Sequence, residues 1–134
     1  MIVDTSALVA ILRREPGARA LDDLLFDGTD AKMSAASYVE FGAVADRDPD
    51  PVQRRRAATL VEDYGISIEP VTAEQAQVAR DAYRELGRGS NHPARLNYGD
   101  TFSYALATVT REPLLFVGDD FRRTDVVPAL PPSP

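Results

Sequence analysis

Four acidic side chains stand where this sequence changes character. Asp4 follows Ile2-Val3, and Asp119 follows Phe116-Val117-Gly118. Glu40 and Asp100 fall in the opening turns of two segments with helical apolar spacing. Gathered in one place, uncompensated carboxylates repel one another, and some take up protons instead. A divalent cation removes that conflict. An oxygen-only donor set in a chain without cysteine suits Mg²⁺ or Mn²⁺ rather than zinc. Mg²⁺ keeps waters and binds through one or two carboxylates plus substrate phosphate. Such a site would activate water against a phosphodiester and stabilise the charged leaving oxygen.

Each acid also has a quieter explanation. Asp4 could cap a helix through its side-chain oxygen. Ser37-Tyr38-Val39-Glu40 matches a capping box, so Glu40 could bond back to the Ser37 N–H. Asp100 could favour its helix dipole. Asp119 or Asp120 could be a turn residue beside Gly118. The functional reading gains from the shared setting. In a parallel sheet, strand C-termini and the following helix N-termini lie on one edge, where open α/β folds bind ligands.

The elements that would place them there alternate along the chain. Met1 to Asp4 reads as a buried strand, and Ser6 to about Arg14 as a helix stopped by Pro16-Gly17. Ala18 to Phe26 follows as a helix ended by Asp27-Gly28, then a short strand at Lys32 to Ser34. Helices are expected from Ser37 to before Asp48 and from Val52 to Tyr64. Ile66 to Val71 alternates like a strand. Thr72-Ala73-Glu74-Gln75 fits a capping box for a helix to about Leu86. Arg88 to Pro93 is a loop, and a helix spans Tyr98 to Thr110. Leu114 to Val117 has the continuous apolar character of a central parallel strand. Asp125 to Val127 is expected as a last edge strand. The pattern predicts an α/β fold with a mostly parallel sheet.

The 134 residues fit one domain, 1–134, with no repeat or linker. Its end, 128–134, carries four prolines in seven residues and is expected to fray. No stretch approaches the ~20 apolar residues of a membrane span, and no secretory signal is visible. A cytoplasmic setting without membrane contact is expected. The net charge of −6 is not that of a bulk nucleic-acid binder. Of 15 basic residues, 14 are Arg and only Lys32 is Lys. Arg suits bidentate phosphate contacts, although codon bias explains most of that excess.

Taken in order, several motifs resemble the PIN-domain ribonucleases of the VapC toxin family. They are Met1-Ile-Val-Asp-Thr-Ser-Ala, Glu40 in its early helix, and His92-Pro-Ala-Arg-Leu-Asn-Tyr-Gly-Asp100 followed by Ser103-Tyr-Ala-Leu-Ala. Leu115-Phe-Val-Gly-Asp-Asp-Phe121 with Thr124-Asp125 completes the set. The resemblance implies a PIN-like α/β/α sandwich and an Mg²⁺- or Mn²⁺-dependent endoribonuclease of a type II toxin–antitoxin module. It also implies a homodimer, an RNA substrate and a cognate VapB-type antitoxin. By motif position, Asp4 and Asp100 would be the main metal ligands. Glu40 would serve as ligand or water-orienting base, Asp119 as the fourth acid, and Ser6 would support Asp4 by hydrogen bonding. Asp120 remains an alternative to Asp119. Arg88 and Arg95 are candidate RNA contacts, while the lone His92 is expected to be structural.

Two other readings compete. A haloacid-dehalogenase-like phosphatase also starts from a strand-end Asp, but it wants a second Asp where Ser6 stands. A non-catalytic PIN-like binding or regulatory module would use the same acids as caps.

Overall fold

The first strand, β1, is only Ile2–Val3, because Asp4 leaves it at once to cap the helix α1 (Thr5–Leu12). The computed structural model describes residues 1–27 and 30–131. After α1 come α2 (Ala18–Phe26), β2 (Lys32–Ser34), α3 (Ala35–Ala45), α4 (Pro51–Asp63) and β3 (Ser67–Glu69). Then follow α5 (Ala73–Leu86), α6 (Asp100–Thr110), β4 (Leu114–Leu115) and a 3-10 turn at Phe121–Arg123. The strands lie in the order β3-β2-β1-β4, and every pairing is parallel. The expected parallel sheet is thus present without an antiparallel member among the described strands.

The expected central strand at Leu114 to Val117 is instead the outer strand β4, only Leu114–Leu115. Alternation along β1 and β4 builds the layers, since successive strand side chains point to opposite faces. Val3 and Leu115 join Met33 in a buried cluster with Leu8, Ile11, Leu21, Leu25, Phe41 and Leu60 from α1 to α4. Ile2 and Leu114 face the other way, onto Leu96, Leu106, Ala107 and Phe121. Each fully buried Leu is worth roughly 1.5–3 kcal/mol in the transfer scale. The sheet is therefore covered by helices on both sides, as an all-parallel sheet requires.

The topology reverses once. From β1 the chain moves outward through β2 to β3, then crosses back by α5 and α6 to place β4 on the other side of β1. In open α/β sheets the usual ligand position is the crevice outside the carboxyl ends at such a reversal, here beyond β1 and β4.

Several boundaries differ from expectation. Ser34, not Ser37, caps α3: its Oγ accepts the Ala36 N–H at 3.3 Å. The helix starts as soon as β2 ends, so Ser37 lies inside it. Asp125 to Val127 forms no strand; the Leu114 N–H donates to the Val127 carbonyl at 2.8 Å, and one bridge joins Leu114 to Pro128. The expected fraying from Pro128 does not apply to 128–130. There the Ala129 N–H donates to the Leu114 carbonyl at 2.8 Å, and Ala129 and Leu130 pack on the core. Residues 132–134 of that tail, and Gly28 as a helix stop, lie outside the described residues. The Thr72 cap forms as expected, accepting the Gln75 N–H at 3.1 Å.

At the sheet's N-terminal edge, Glu112 joins three strand beginnings. It accepts from Lys32 Nζ at 2.8 Å and from the Met1 amine at 2.7 Å, just before β4. The Lys32 bond and then the Met1 amine hold the Glu112 carboxyl below its usual range. A carboxyl lowered on folding stabilises the fold above the ordinary carboxylate range and loses that contribution as pH falls through its folded value. Glu112→Gln should lower Tm at neutral pH by roughly 3–5 °C, as about 1 kcal/mol does in a domain of this size. As pH falls through the folded Glu112 value the two melting temperatures should converge, which calorimetry across the acid range would check.

Candidate active site

Asp4 is the most deeply held of the acids, at 2 % exposure. As N-cap of α1 it accepts the Ser6 N–H on Oδ2 at 3.0 Å. Its other oxygen, Oδ1, accepts the Ser103 hydroxyl proton at 2.5 Å. The cap leaves the other oxygen of Asp4 free for a second partner, so a capping role does not exclude a site role.

Ser6 supports Asp4 through its backbone alone. Its hydroxyl turns away and accepts the Val117 N–H at 3.1 Å, tying the chain after β4 to the start of α1. The side-chain support comes from Ser103, three residues beyond Asp100 and so on the same face of α6. Sequence reasoning left Ser103 without a role. The available signal was a serine one turn after an acid in an otherwise apolar helix, Asp100-Thr-Phe-Ser-Tyr-Ala-Leu-Ala.

Asp100 opens α6 by a reciprocal pair of bonds. The Asn97 N–H donates to Asp100 Oδ2 at 3.0 Å, and the Asp100 N–H donates to Asn97 Oδ1 at 2.8 Å. Burial pushes the Asp100 carboxyl up, the Asn97 N–H draws it back, and the negative charges of Asp4, Asp120 and Glu40 raise it further, to about 7. Glu40 is half-buried, and burial raises it as well. The charge of Asp4 raises it further. Asp4, Glu40 and Asp100 thus share one electrostatic neighbourhood at the crevice, as their seams in the sequence imply.

Gly99 makes room for this approach. A Cβ built there would stand 1.8 Å from Glu40 Oε2 and 2.7 Å from its Cδ. The Gly99 backbone is ordinary right-handed helix, φ −63° and ψ −38°, so the position needs glycine for space and not for conformation. Periodicity carries no trace of such a requirement.

The two adjacent acids after Gly118, Asp119 and Asp120, are placed differently. Asp119 is turned to solvent, 87 % exposed, with Arg122 Nε 3.9 Å away. The charge that reaches Asp100 from this loop is that of Asp120. Gly118, at φ +104°, redirects the chain between the strand end and the two acids. Arg88 and Arg95 lie exposed on the loop before α6. His92 is a loop fastener: its Nδ1 accepts the Ala94 N–H at 3.0 Å.

Among the described residues, no three His, Asp or Glu side chains stand close enough to share one ion as placed. The donor chemistry fits a cation that keeps most of its own waters. Asp4 and Asp100 are buried or half-buried hard oxygen donors, each still with unused lone pairs. One or two such carboxylates are what Mg²⁺ ordinarily takes from a protein. The repulsion registered at Asp100 is what a cation would relieve.

Comparison with known proteins shows the family and the fold. The PIN domain family model matches residues 1–127. Ribonuclease VapC42 of Mycobacterium tuberculosis is 57 % identical over 129 residues, 96 % of this chain and 98 % of that protein. Ribonuclease VapC28 of the same organism is 53 % identical, covering 97 % and 98 %. The fold matches the crystal structure of M. tuberculosis VapC20, described as a sarcin-ricin loop cleaving toxin, with TM-score 0.73 at 19 % identity, covering 97 % and 98 %. A toxin–antitoxin complex from Klebsiella pneumoniae also matches, with TM-score 0.65 at 18 % identity, over 90 % of this chain and 88 % of that one. The fold is that of a PIN domain. Within that class, the chain belongs to the VapC ribonuclease family.

The Gly99 notch can be tested apart from any reaction. Gly99→Ala should change Tm by no more than about 3 °C, because the far end of Glu40 can swing aside. Moving Glu40 away should bring the Asp100 midpoint down from about 7, read by carboxyl NMR titration.

Proposed function

We propose that this chain is the toxin of a type II toxin–antitoxin module and hydrolyses RNA phosphodiester bonds with Mg²⁺ or Mn²⁺. The observation that carries the proposal is the gathering of Asp4, Glu40, Asp100 and Asp120 at the crevice where the sheet reverses, in a chain of the VapC family. Asp4 and Asp100 would hold the cation, with Glu40 and Asp120 completing the acidic set. A bound Mg²⁺ or Mn²⁺ supplies positive charge to the scissile phosphate and makes a bound water acidic at neutral pH. Glu40, on a helix beside the crevice, would orient the attacking water and accept its proton on the carboxylate, while the departing 3′ oxygen would take a proton from solvent. Asp4 and Asp100 stay fixed through the reaction, since each is tied to backbone N–H groups of its own helix start. Arg88 and Arg95 contact flanking phosphates from the exposed loop, through bidentate geometry. In-line hydrolysis leaves a 5′-phosphate and a 3′-hydroxyl. Without the cation, the acidic crevice repels an RNA backbone, which makes RNA binding conditional on metal.

The toxin reading also supplies partners and a setting. A cognate VapB-type antitoxin would hold the chain inactive, and the active form would be a homodimer working in the cytoplasm. No described helix is long and apolar enough to cross a membrane.

Purified protein should cut RNA with Mg²⁺ or Mn²⁺ and fall silent with EDTA. Asp4→Asn and Asp100→Asn should each lower the rate by at least about 100-fold while circular dichroism stays unchanged. Retained cleavage in both variants would remove the site assignment. Absence of cleavage in every condition by folded, antitoxin-free protein would return the chain to a binding role.

The same assay separates the two adjacent acids. Asp120→Asn should slow cleavage about 10-fold or more, and Asp119→Asn should stay within about threefold of the parent. The reverse pattern would give the fourth place to Asp119.

A further inference from the structure

Two buried hydroxyls outside the acidic set are committed to Asp4. Ser103 is fully buried, and its hydroxyl donates to Asp4 Oδ1 at 2.5 Å. Ser37, also buried, has its Oγ 3.0 Å from Ser103 Oγ. A hydroxyl has one proton to give. Ser103 has spent its own on the carboxylate, so Ser37 is the donor between the two. The Ser37 carbonyl in turn accepts the Thr5 hydroxyl at 2.9 Å. Donation therefore runs one way, from α3 through α6 to the end of β1.

Such a line is unusual for serines inside helices. Their hydroxyls commonly turn back to the carbonyl one turn earlier. Thr110 does this on the same helix, donating to the Leu106 carbonyl at 2.7 Å. Ser103 and Ser37 instead send their protons across element boundaries toward a carboxylate. Burying a hydroxyl costs free energy unless it is bonded. Alanine would satisfy packing alone, as Ala105 and Ala107 do in the same helix.

We infer that Ser103 is a positioning residue for the cation site, with Ser37 acting through it. The inference rests on the proposed metal-dependent reading of the acids. One donor on each oxygen, the Ser6 N–H on Oδ2 and the Ser103 hydroxyl on Oδ1, fixes the rotation of the Asp4 carboxylate. The lone pairs left over are then presented in one orientation. Supporting partners of this kind commonly change metal affinity 10- to 100-fold.

The test is Mn²⁺ binding to the metal-free full chain by isothermal titration calorimetry, with Tm measured in parallel. Ser103→Ala should weaken Mn²⁺ binding about 10-fold or more, with a metal-free Tm within about 3 °C of the parent. Ser37→Ala should weaken it less, and the double variant should match Ser103→Ala, because Ser37 acts only through Ser103. Unchanged affinity in folded Ser103→Ala overturns the inference and leaves the proposed function standing. Full additivity of the two losses also overturns it. Should Ser103→Ala not fold, Ser37→Ala decides: unchanged affinity there overturns the inference. A parent chain that binds no Mn²⁺ overturns the metal reading and this inference together.

Discussion

A carboxylate almost wholly out of water, at the end of the central strand, is the constraint around which this domain is arranged. Asp4 follows β1, whose backbone is paired on both sides, to β2 and to β4. An ionised group in that position costs several kcal/mol unless donors meet it. They come from three elements at once: the first turn of α1, the buried face of α6, and through Ser37 the start of α3. The same four residues, Met1 to Asp4, thus supply both faces of the core and the anchor of the site. Little in β1 could vary without disturbing one or the other.

The two edges of the sheet are opposite in electrostatic character. At the N-terminal edge, Glu112 draws Lys32 and the Met1 amine together and ties the starts of β2, β1 and β4. At the C-terminal edge, like charges face one another and Asp100 is held up near 7. A carboxyl raised on folding stabilises at low pH, and that contribution is lost as pH rises through its folded value. Near neutrality the ion-free domain therefore carries an electrostatic cost at its crevice that attraction at the other edge partly offsets. Functional sites are commonly maintained against local stability in this manner.

Much of this was legible in the sequence, because strand-to-helix seams are local. The alternation of apolar runs marked the strands, and Asp4, Glu40 and Asp100 stand at their seams. What was not legible depends on contacts between distant segments. Ser37 read as a cap, yet Ser34 took that place because β2 runs directly into α3. Gly99 matters through the carboxylate that leans over it, and Ser103 through a bond to a residue 99 positions earlier. Proximity to a strand end singled out Asp119, whose solvent exposure after the turn at Gly118 left no mark in the sequence. The expected edge strand at 125–127 became a bridge, because its pairing to Leu114 passes at once to a proline.

That proline bridge has a bearing on how the protein behaves when crowded. β4 would otherwise be a bare sheet margin, a template for pairing with another chain. Here the Leu114 N–H and carbonyl are both taken by the returning segment, at Val127 and Ala129. Pro128 and Pro131 have no N–H with which to recruit a further strand. On the far margin, β3 is three residues long and runs into Pro70. Among the described residues the sheet offers only short margins, so intermolecular strand addition, the first step of many aggregates, finds little template.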